Sequence, residues 1–467
     1  MGIGENIENG EDGELEDARE ALIMPKNSSY EEGSASKSSS SCTGSAGMVY
    51  LSTFVAVAGS FEVGSCSGYS SPTQNAIRED LSLSILEYSL FGSLLTIGAM
   101  IGAITSGPIA DYIGRKGAMR FSSTFCVAGW LAIYFAEGYW ALDIGRLATG
   151  YGMGALSFVV PVFIAEIAPK NLRGTLTTVT QLMVATGVSA AFIMGTVLRW
   201  RVLALTGLIP CVILHVGLFL IPESPRWLAK KGREKESETT LQKLRGRDAD
   251  ISYEAIEIKD YIQTLESLPK ARLLELFQRR NLRSVVIGVG LMVLQQFGGI
   301  NAVCFYASSI FEVAGFSPSV GTIIYAILQV VVVFLSTVII DKVGRKPLLL
   351  VSASGLVISC LITGLSFYLK VHELALKSVP MLAVTGILVR LQIFPLNIKG
   401  VAGSVATLVN WFCAWAVSFT FNLLFSWSSY GTFILYAAIN AVTIVFVVLL
   451  VPETKGRTLE QIQAAIR

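Results

Sequence analysis

Six amide side chains and one tryptophan stand inside long apolar segments of the chain. They are Gln181, Gln295, Gln296, Asn301, Gln329, Asn410 and Trp411. An amide offers both hydrogen-bond donors and an acceptor, so it can bind a ligand rich in hydroxyl groups. A polar group inside a membrane is costly unless it is partnered, so its presence there predicts a function. The alternative is that these amides only bond neighbouring helices to one another.

Three of these amides fall in one apolar segment, interrupted by Gly298-Gly299. On an unbroken helix, at about 100° per residue, Asn301 would point away from Gln295 and Gln296. A helix break at the two glycines would bring all three amides to one cavity, and broken helices commonly line transporter sites. The pattern therefore predicts a break there and a shared polar site.

Two charged residues, Glu62 and Arg146, also lie within apolar segments. Neither is stable alone in hydrocarbon, so the sequence predicts that they pair with each other. Such a pair is either structural or able to exchange a proton, and the sequence leaves both open.

A further set of charges stands at the ends of apolar segments, where helices would meet water. The set comprises Asp111, Arg115, Glu166, Arg173, Glu223, Arg226, Asp341, Arg345 and Glu453. These acids and bases, including a Glu166–Arg173 pair, are predicted to form salt bridges that hold one access state and break in another. One surface pair contributes only about 0–1 kcal/mol, so several must act together. The alternative is that they only set the topology.

The elements that carry these residues are predicted to be membrane-spanning helices. Of 467 residues, 52% are hydrophobic and only 15% are charged, against about 25% charged in soluble domains. Segments of about 20 apolar residues can cross a bilayer as helices. Twelve such segments lie near 48–68, 86–110, 118–136, 140–164, 175–197, 201–221, 284–307, 319–340, 347–369, 379–398, 401–425 and 430–451.

The domain organisation is two six-helix halves separated by a charged insert. The predicted parts are a disordered acidic, Ser-rich tail (1–47), an N-terminal half (48–221), a helical insert (222–283), a C-terminal half (284–451) and a tail (452–467). The basic loops and the insert predict the cytosolic side, so both termini are predicted to be cytosolic.

The halves repeat each other in sequence. The first half contains Asp111-Tyr-Ile-Gly-Arg-Lys116, and the second half repeats it as Asp341-Lys-Val-Gly-Arg-Lys346. The first half ends with Pro222-Glu-Ser-Pro-Arg226, and the second ends with the related Pro452-Glu-Thr-Lys-Gly-Arg457. Repeats of six spans are typical of alternating-access transporters. With Gln295-Gln-Phe-Gly-Gly-Ile-Asn301, these motifs resemble the sugar porter family of the major facilitator superfamily. Gly68-Tyr-Ser-Ser-Pro72 and Ile398-Lys-Gly-Val-Ala-Gly403 are similar to plant early-responsive-to-dehydration-like monosaccharide transporters.

The resemblance implies a major facilitator fold, a hexose bound by the amides, and proton coupling through Glu62 with Arg146 as its partner. It implies a monosaccharide, the lipid bilayer and protons as partners, and a vacuolar or plasma membrane location. Neither a nucleic-acid partner nor a cofactor is predicted. The two histidines, His215 and His372, have no nucleophile or metal cluster around them in the sequence, so neither an enzyme nor a metal site is predicted.

The tenth span departs from the family pattern. Val379–Gln392 is about half the length of the matching segment of the first half, Trp140–Glu166. The resemblance implies a glycine-rich segment with a sugar-stacking tryptophan between Val389 and Gln392, whereas only Arg390-Leu391 stands there. The gap predicts a deletion isoform, such as a splice product, with weak or no transport. A chain of that kind would act as a sugar sensor or regulatory partner.

Overall fold

The computed structural model describes residues 47–169, 171–267, 279–343, 345–389, 401–451 and 453, and within these residues the regular structure is entirely helical. The first half contains α1 (Gly47–Gly68), α2 (Ser70–Asp80), α3 (Ile85–Tyr134), α4 (Tyr139–Ile167), α5 (Arg173–Gly195), α6 (Trp200–Thr206) and α7 (Leu208–Leu220). The insert contains α8 (Pro225–Lys230), α9 (Glu234–Arg245) and α10 (Ser252–Ser267). The second half contains α11 (Arg279–Phe297), α12 (Ile300–Val313), α13 (Pro318–Val343), α14 (Arg345–Val371), α15 (Val379–Val389), α16 (Val401–Trp427) and α17 (Ser429–Leu450).

The all-α membrane fold predicted from the sequence is confirmed. By length and composition, ten helical segments of the described chain can cross a membrane. One of them, α3, is 50 residues long and has a non-helical break at Gly114 (φ 86°, ψ 170°). The break turns the chain between two consecutive crossings, so α3 serves as two spans.

Small residues allow the helices of the first half to approach closely. A Cβ atom on Gly129 of α3 would lie 2.6 Å from the carbonyl oxygen of Gly145 on α4. A Cβ on Gly154 of α4 would likewise overlap the backbone of Ala99. Lipid tails are as apolar as the helix side chains, so the hydrophobic effect does not drive helices together in a membrane. Close backbone contacts are therefore a main source of helix association there.

The insert is attached to the first half by hydrogen bonds. Ser224 caps α8 by accepting from the amide of Trp227 (3.2 Å), and Pro225 occupies the first helical position. Arg245 of α9 binds Glu254 of α10 through two bonds of 2.8 and 2.7 Å. Its remaining Nη donates to the carbonyl of Ile167 (2.9 Å) at the end of α4.

The halves meet through polar side chains at the end of the bundle far from the insert. Most of these contacts join α2 to α12, and one joins α3 to α16. The pairs are Ser71–Ser308 (3.1 Å), Gln74–Ser309 (2.7 Å), Asn75–Glu312 (2.6 Å) and Ser89–Asn422 (2.8 Å).

The described part of the tenth span is α15, whose 11 residues end at Val389, where the described residues also end. It packs on α14, where Ser366 donates to the carbonyl of Val379 (2.8 Å) and Ser359 to that of Gly386 (2.6 Å). Residues 390–400, where the predicted gap falls, lie outside the described residues, and so do the predicted N-terminal tail and most of the C-terminal one.

Candidate functional site

The helix break predicted at Gly298-Gly299 is present. Gly299 adopts a left-handed conformation (φ 85°, ψ 26°), and it separates α11 from α12. A residue with a side chain adopts this conformation only at a cost, which explains the glycine. The chain therefore changes direction between Gln296 and Asn301.

This break brings three of the predicted amides into contact. Gln296 is buried, with 6% of its surface exposed, and its Nε2 donates to Oδ1 of Asn410 on α16 (2.7 Å). Asn301 donates through Nδ2 to Oε1 of the same glutamine (2.7 Å). Gln296 thus joins three segments, α11, α12 and α16, in one polar cluster, which we call the amide triad.

The other four predicted binding residues differ in burial and in hydrogen-bond partners. Gln329 on α13 has a buried Oε1 without a hydrogen-bond partner among the described residues. Gln295 is half-buried on α11, and Trp411 is partly buried against the core. Gln181 is exposed on α5. Within the described structure, none of these four hydrogen-bonds to the triad.

A further candidate that the sequence reasoning missed is Trp415, one helical turn beyond Trp411. Its Nε1 is buried and has no hydrogen-bond partner in the described part of the chain. Its ring stacks on Phe419 with 6.1 Å between centroids. A buried donor without a partner is costly, and a ligand hydroxyl could satisfy it. The signal available in the sequence was the four-residue spacing of aromatic residues along α16.

Glu62 is fully buried in the first half, but its partner is not the predicted one. One carboxylate oxygen accepts from Nε1 of Trp130 (2.6 Å) and from the thiol of Cys66 (3.2 Å). The other oxygen is buried and has no hydrogen-bond partner among the described residues. The predicted pairing with Arg146 is therefore wrong.

Arg146 is also fully buried, and it is held by hydroxyl and aromatic groups. It donates to Oγ of Ser70, and its guanidinium lies over the rings of Phe91 (5.1 Å) and Tyr69 (5.7 Å). The Tyr69 ring in turn contacts Trp130 edge to face, with 5.1 Å between centroids. The ring of Tyr69 thus lies between the cation and Trp130, the residue that binds the carboxylate. Nε and Nη1 of Arg146 have no hydrogen-bond partner among the described residues.

The charges at the insert end of the first half form a network centred on Arg115. Its guanidinium binds Glu166 through two hydrogen bonds (2.9 and 2.8 Å) and Asp111 through a third (2.9 Å). Lys230 of the insert also pairs with Asp111 (2.9 Å). The predicted Glu166–Arg173 pair is therefore wrong, because the break at Gly114 directs Arg115 onto α4.

Glu223 binds backbone amides at the same break. It accepts from the amides of Arg115 (3.2 Å), Lys116 (3.1 Å) and Ser224 (2.8 Å). Burial raises the pKa of its carboxyl above the ordinary value, although these bonds act in the opposite direction. A Cβ on Gly114 would lie 2.5 Å from this carboxylate, so only glycine fits there.

The second half repeats this contact, since Glu453 accepts from the amide of Lys346 (3.2 Å). We call the two contacts the carboxylate clamps. The side chains of Asp341 and Arg345 lie outside the described part of the chain. Arg226 lies over the ring of Tyr261 (5.7 Å), and Arg173 has a buried Nε without a hydrogen-bond partner among the described residues.

The substitution Arg115→Ala is expected to lower the free energy of unfolding by about 3–5 kcal/mol, because it leaves a largely buried Glu166 without its counter-charge. Removing the exposed Arg233, which pairs with Glu236 on the insert, should cost far less, because water screens an exposed pair. Unfolding of the purified variants in detergent measures both values. Equal losses would contradict the buried network.

Comparison with known proteins identifies the relatives of the chain. The family model "Sugar (and other) transporter" matches residues 24–466. Two relatives from Arabidopsis thaliana are "Sugar transporter ERD6-like 7", 68% identical over 90% of this chain and 94% of its own, and "Sugar transporter ERD6-like 8", 52% identical over 96% and 97%. The first alignment extends over 435 positions, whereas 90% of 467 residues is about 420. About 15 aligned positions therefore have no residue in this chain.

Solved structures with the same fold include a bacterial xylose carrier. The proton:xylose symporter XylE bound to 6-bromo-6-deoxy-D-glucose is 26% identical, with a TM-score of 0.70 over 90% of this chain and 99% of that one. An inward-open form of XylE from E. coli is 25% identical, with a TM-score of 0.71 over 89% and 99%.

Proposed function

The chain belongs to the sugar transporter family, and on that premise we propose that it binds a monosaccharide of the hexose class at the amide triad and carries it by alternating access. The observation that carries the proposal is the buried contact of Gln296 with Asn301 and Asn410 at the helix break. Each amide can exchange its partner for a sugar hydroxyl without leaving a buried group unsatisfied. Gln329 has a buried acceptor and Trp415 a buried donor without a hydrogen-bond partner among the described residues, and we propose that both face the same ligand.

The contacts between the halves support alternating access. The hydrogen bonds between α2 and α12 close the end of the bundle far from the insert. Hydroxyl and amide pairs of this kind contribute about 0.5–1.5 kcal/mol each, so they can break and re-form during a transport cycle. We assign the insert end to the cytosol, from its basic residues, and the chain to a plant vacuolar or plasma membrane.

We further propose that Glu62 exchanges the coupling proton. A fully buried carboxylate with one hydrogen-bonded and one free oxygen can hold a proton on the free oxygen while the indole of Trp130 keeps its position. Arg146, connected through aromatic rings, supplies positive charge nearby without forming a salt bridge that would keep the carboxylate ionised.

The substitution Glu62→Gln is expected to abolish accumulation of radiolabelled glucose driven by a pH gradient in proteoliposomes, bringing the inside-to-outside ratio to about one. Exchange of sugar at equal concentrations should persist, because the binding site is intact. The matched control is Glu137→Gln, at an exposed carboxylate, which should change neither measurement. A Glu62→Gln protein that still accumulates glucose would defeat proton coupling through this residue.

A second candidate function is sugar binding with little or no transport, as a sensor or regulatory partner. The Val379–Gln392 segment, about half as long as its counterpart in the first half, and the 15 or so alignment positions without a residue in this chain both support a deletion. Measuring equilibrium glucose binding and glucose flux on the same preparation separates the two candidates. Binding with flux supports the carrier, and binding without flux supports the sensor.

A further inference from the structure

Three thiols and a carboxylate meet in the interior of the first half. Atoms of Glu62, Cys66 and Cys126 that can bind a metal all lie within 4.8 Å of one another, and all three residues are buried. A fourth thiol, that of Cys211 on α7, lies beside Cys126 and Glu62 but outside the group whose atoms are all within 4.8 Å of one another. The four residues come from α1, α3 and α7. They are brought together by the packing of these helices, and their spacing in the sequence does not form a metal-binding motif.

The separations fit a thiolate metal centre. Zinc bound tetrahedrally with metal–sulfur bonds of about 2.3 Å would hold its ligand atoms about 3.8 Å apart, and the larger cadmium ion would hold them slightly farther apart. Groups already within 4.8 Å of one another need to move by only about 1 Å to reach that distance. Glu62 and Cys66 are one helical turn apart on α1 and already in contact (3.2 Å), so they form a preorganised pair of ligands.

A second observation points to a ligand at this place. One oxygen of Glu62 is buried and unpartnered in the described structure, although the residue is fully enclosed. A buried carboxylate oxygen without a donor is costly, and a cation would satisfy it. The other oxygen is fixed by Trp130 (2.6 Å), which orients the carboxylate as outer partners orient metal ligands.

Further polar groups lie next to the cluster. Ser123 is near the thiol of Cys211 and lies 3.1 Å from Nδ1 of His215. The hydroxyl of Thr124 lies 3.4 Å from Nε2 of the same histidine. Imidazole is a common ligand of divalent cations, so these groups add polar surroundings that suit such an ion.

We propose that Glu62, Cys66, Cys126 and Cys211 form a binding site for a thiophilic divalent cation, zinc or cadmium. Soft thiolate ligands select such ions over magnesium and calcium, which require oxygen ligands. Each thiol that coordinates the ion releases its proton to solvent. None of the thiols belongs to the amide triad, so metal binding can be measured independently of sugar binding. An ion bound to the free oxygen of Glu62 would take the place of the coupling proton proposed there.

The test is cadmium binding by the purified chain carrying Cys42→Ala, which removes the cysteine of the N-terminal tail. We expect one Cd²⁺ per chain after desalting, with a cadmium–thiolate absorption band and no displacement by excess Mg²⁺. The double substitution Cys66→Ser and Cys126→Ser should weaken binding on the order of 100-fold, since changing even an outer partner of a metal ligand costs about 10–100-fold.

The matched control is Cys413→Ser, a buried cysteine of the second half, which should bind Cd²⁺ like the parent chain. Helical circular dichroism confirms that each variant is folded, and Cys211→Ser provides a second, milder change at the site. The proposal is overturned if the parent chain binds no Cd²⁺. It is overturned equally if folded variants lacking Cys66 and Cys126, or Cys211, bind as tightly as the control.

Discussion

A chain whose tenth span is lengthened should transport hexose on the order of 100-fold faster than the chain as it stands. The change inserts about 15 residues at the gap predicted between Val389 and Gln392, the number of aligned positions of the 68%-identical Arabidopsis relative that have no residue in this chain. Val379–Gln392 offers only 14 residues, against about 20 for a crossing, so a span built from this sequence draws Arg390 into the membrane. A central arginine costs about 2.5–3.5 kcal/mol on insertion scales, which corresponds to the expected factor.

The measurement is radiolabelled glucose uptake by proteoliposomes that contain equal amounts of each protein. An insertion of the same length made of Gly and Ser is the matched control, because it adds residues that do not form a stable span. It should not raise uptake. The prediction fails if the native chain already transports glucose as fast as the lengthened one.

The substitution Gln296→Ala should weaken equilibrium binding of glucose by about 10- to 100-fold. Gln296 contacts both Asn301 and Asn410, so its loss removes one sugar ligand and leaves two amides without their partner. An unsatisfied buried polar group costs about 1–3 kcal/mol, and each 1.4 kcal/mol is a factor of ten in affinity. Binding is measured on purified protein, so the result does not depend on turnover.

The control for this experiment is Gln263→Ala, at an exposed glutamine on α10 of the insert. It removes the same amide group at a distance from the site, and the affinity should not change. Thermal unfolding of both variants separates loss of binding from loss of folding. Equal glucose affinities in the two folded variants would remove Gln296 from the site.

Features set by local sequence were predictable. The apolar segments specify helices of membrane length, and all twelve have a helical counterpart among the described residues, the tenth only as far as Val389. The break at Gly298-Gly299 was predictable because two adjacent glycines favour a left-handed residue that ends a helix. Once the break is assumed, the contact between Gln296 and Asn301 follows from chain geometry alone.

Pairings across helices were not predictable, because a sequence contains no distances between them. Glu62 and Arg146 are the two charges that stand inside apolar segments, and pairing them was the simplest assumption. In the structure an indole binds the first and a hydroxyl binds the second, and each keeps buried polar atoms without a partner among the described residues. The partner of Glu166 depends on the direction in which Gly114 turns the chain, and the sequence shows the glycine but not the direction.

The two carboxylate clamps have a consequence for the way the protein moves. Each ties the corner between two consecutive helices to the segment that closes the same half, through Glu223 at Lys116 and Glu453 at Lys346. A corner anchored in this way resists bending on its own, so we expect each half to move as a rigid body. The change of access must then occur at the interface between the halves. We therefore expect a covalent cross-link within one half to leave transport intact.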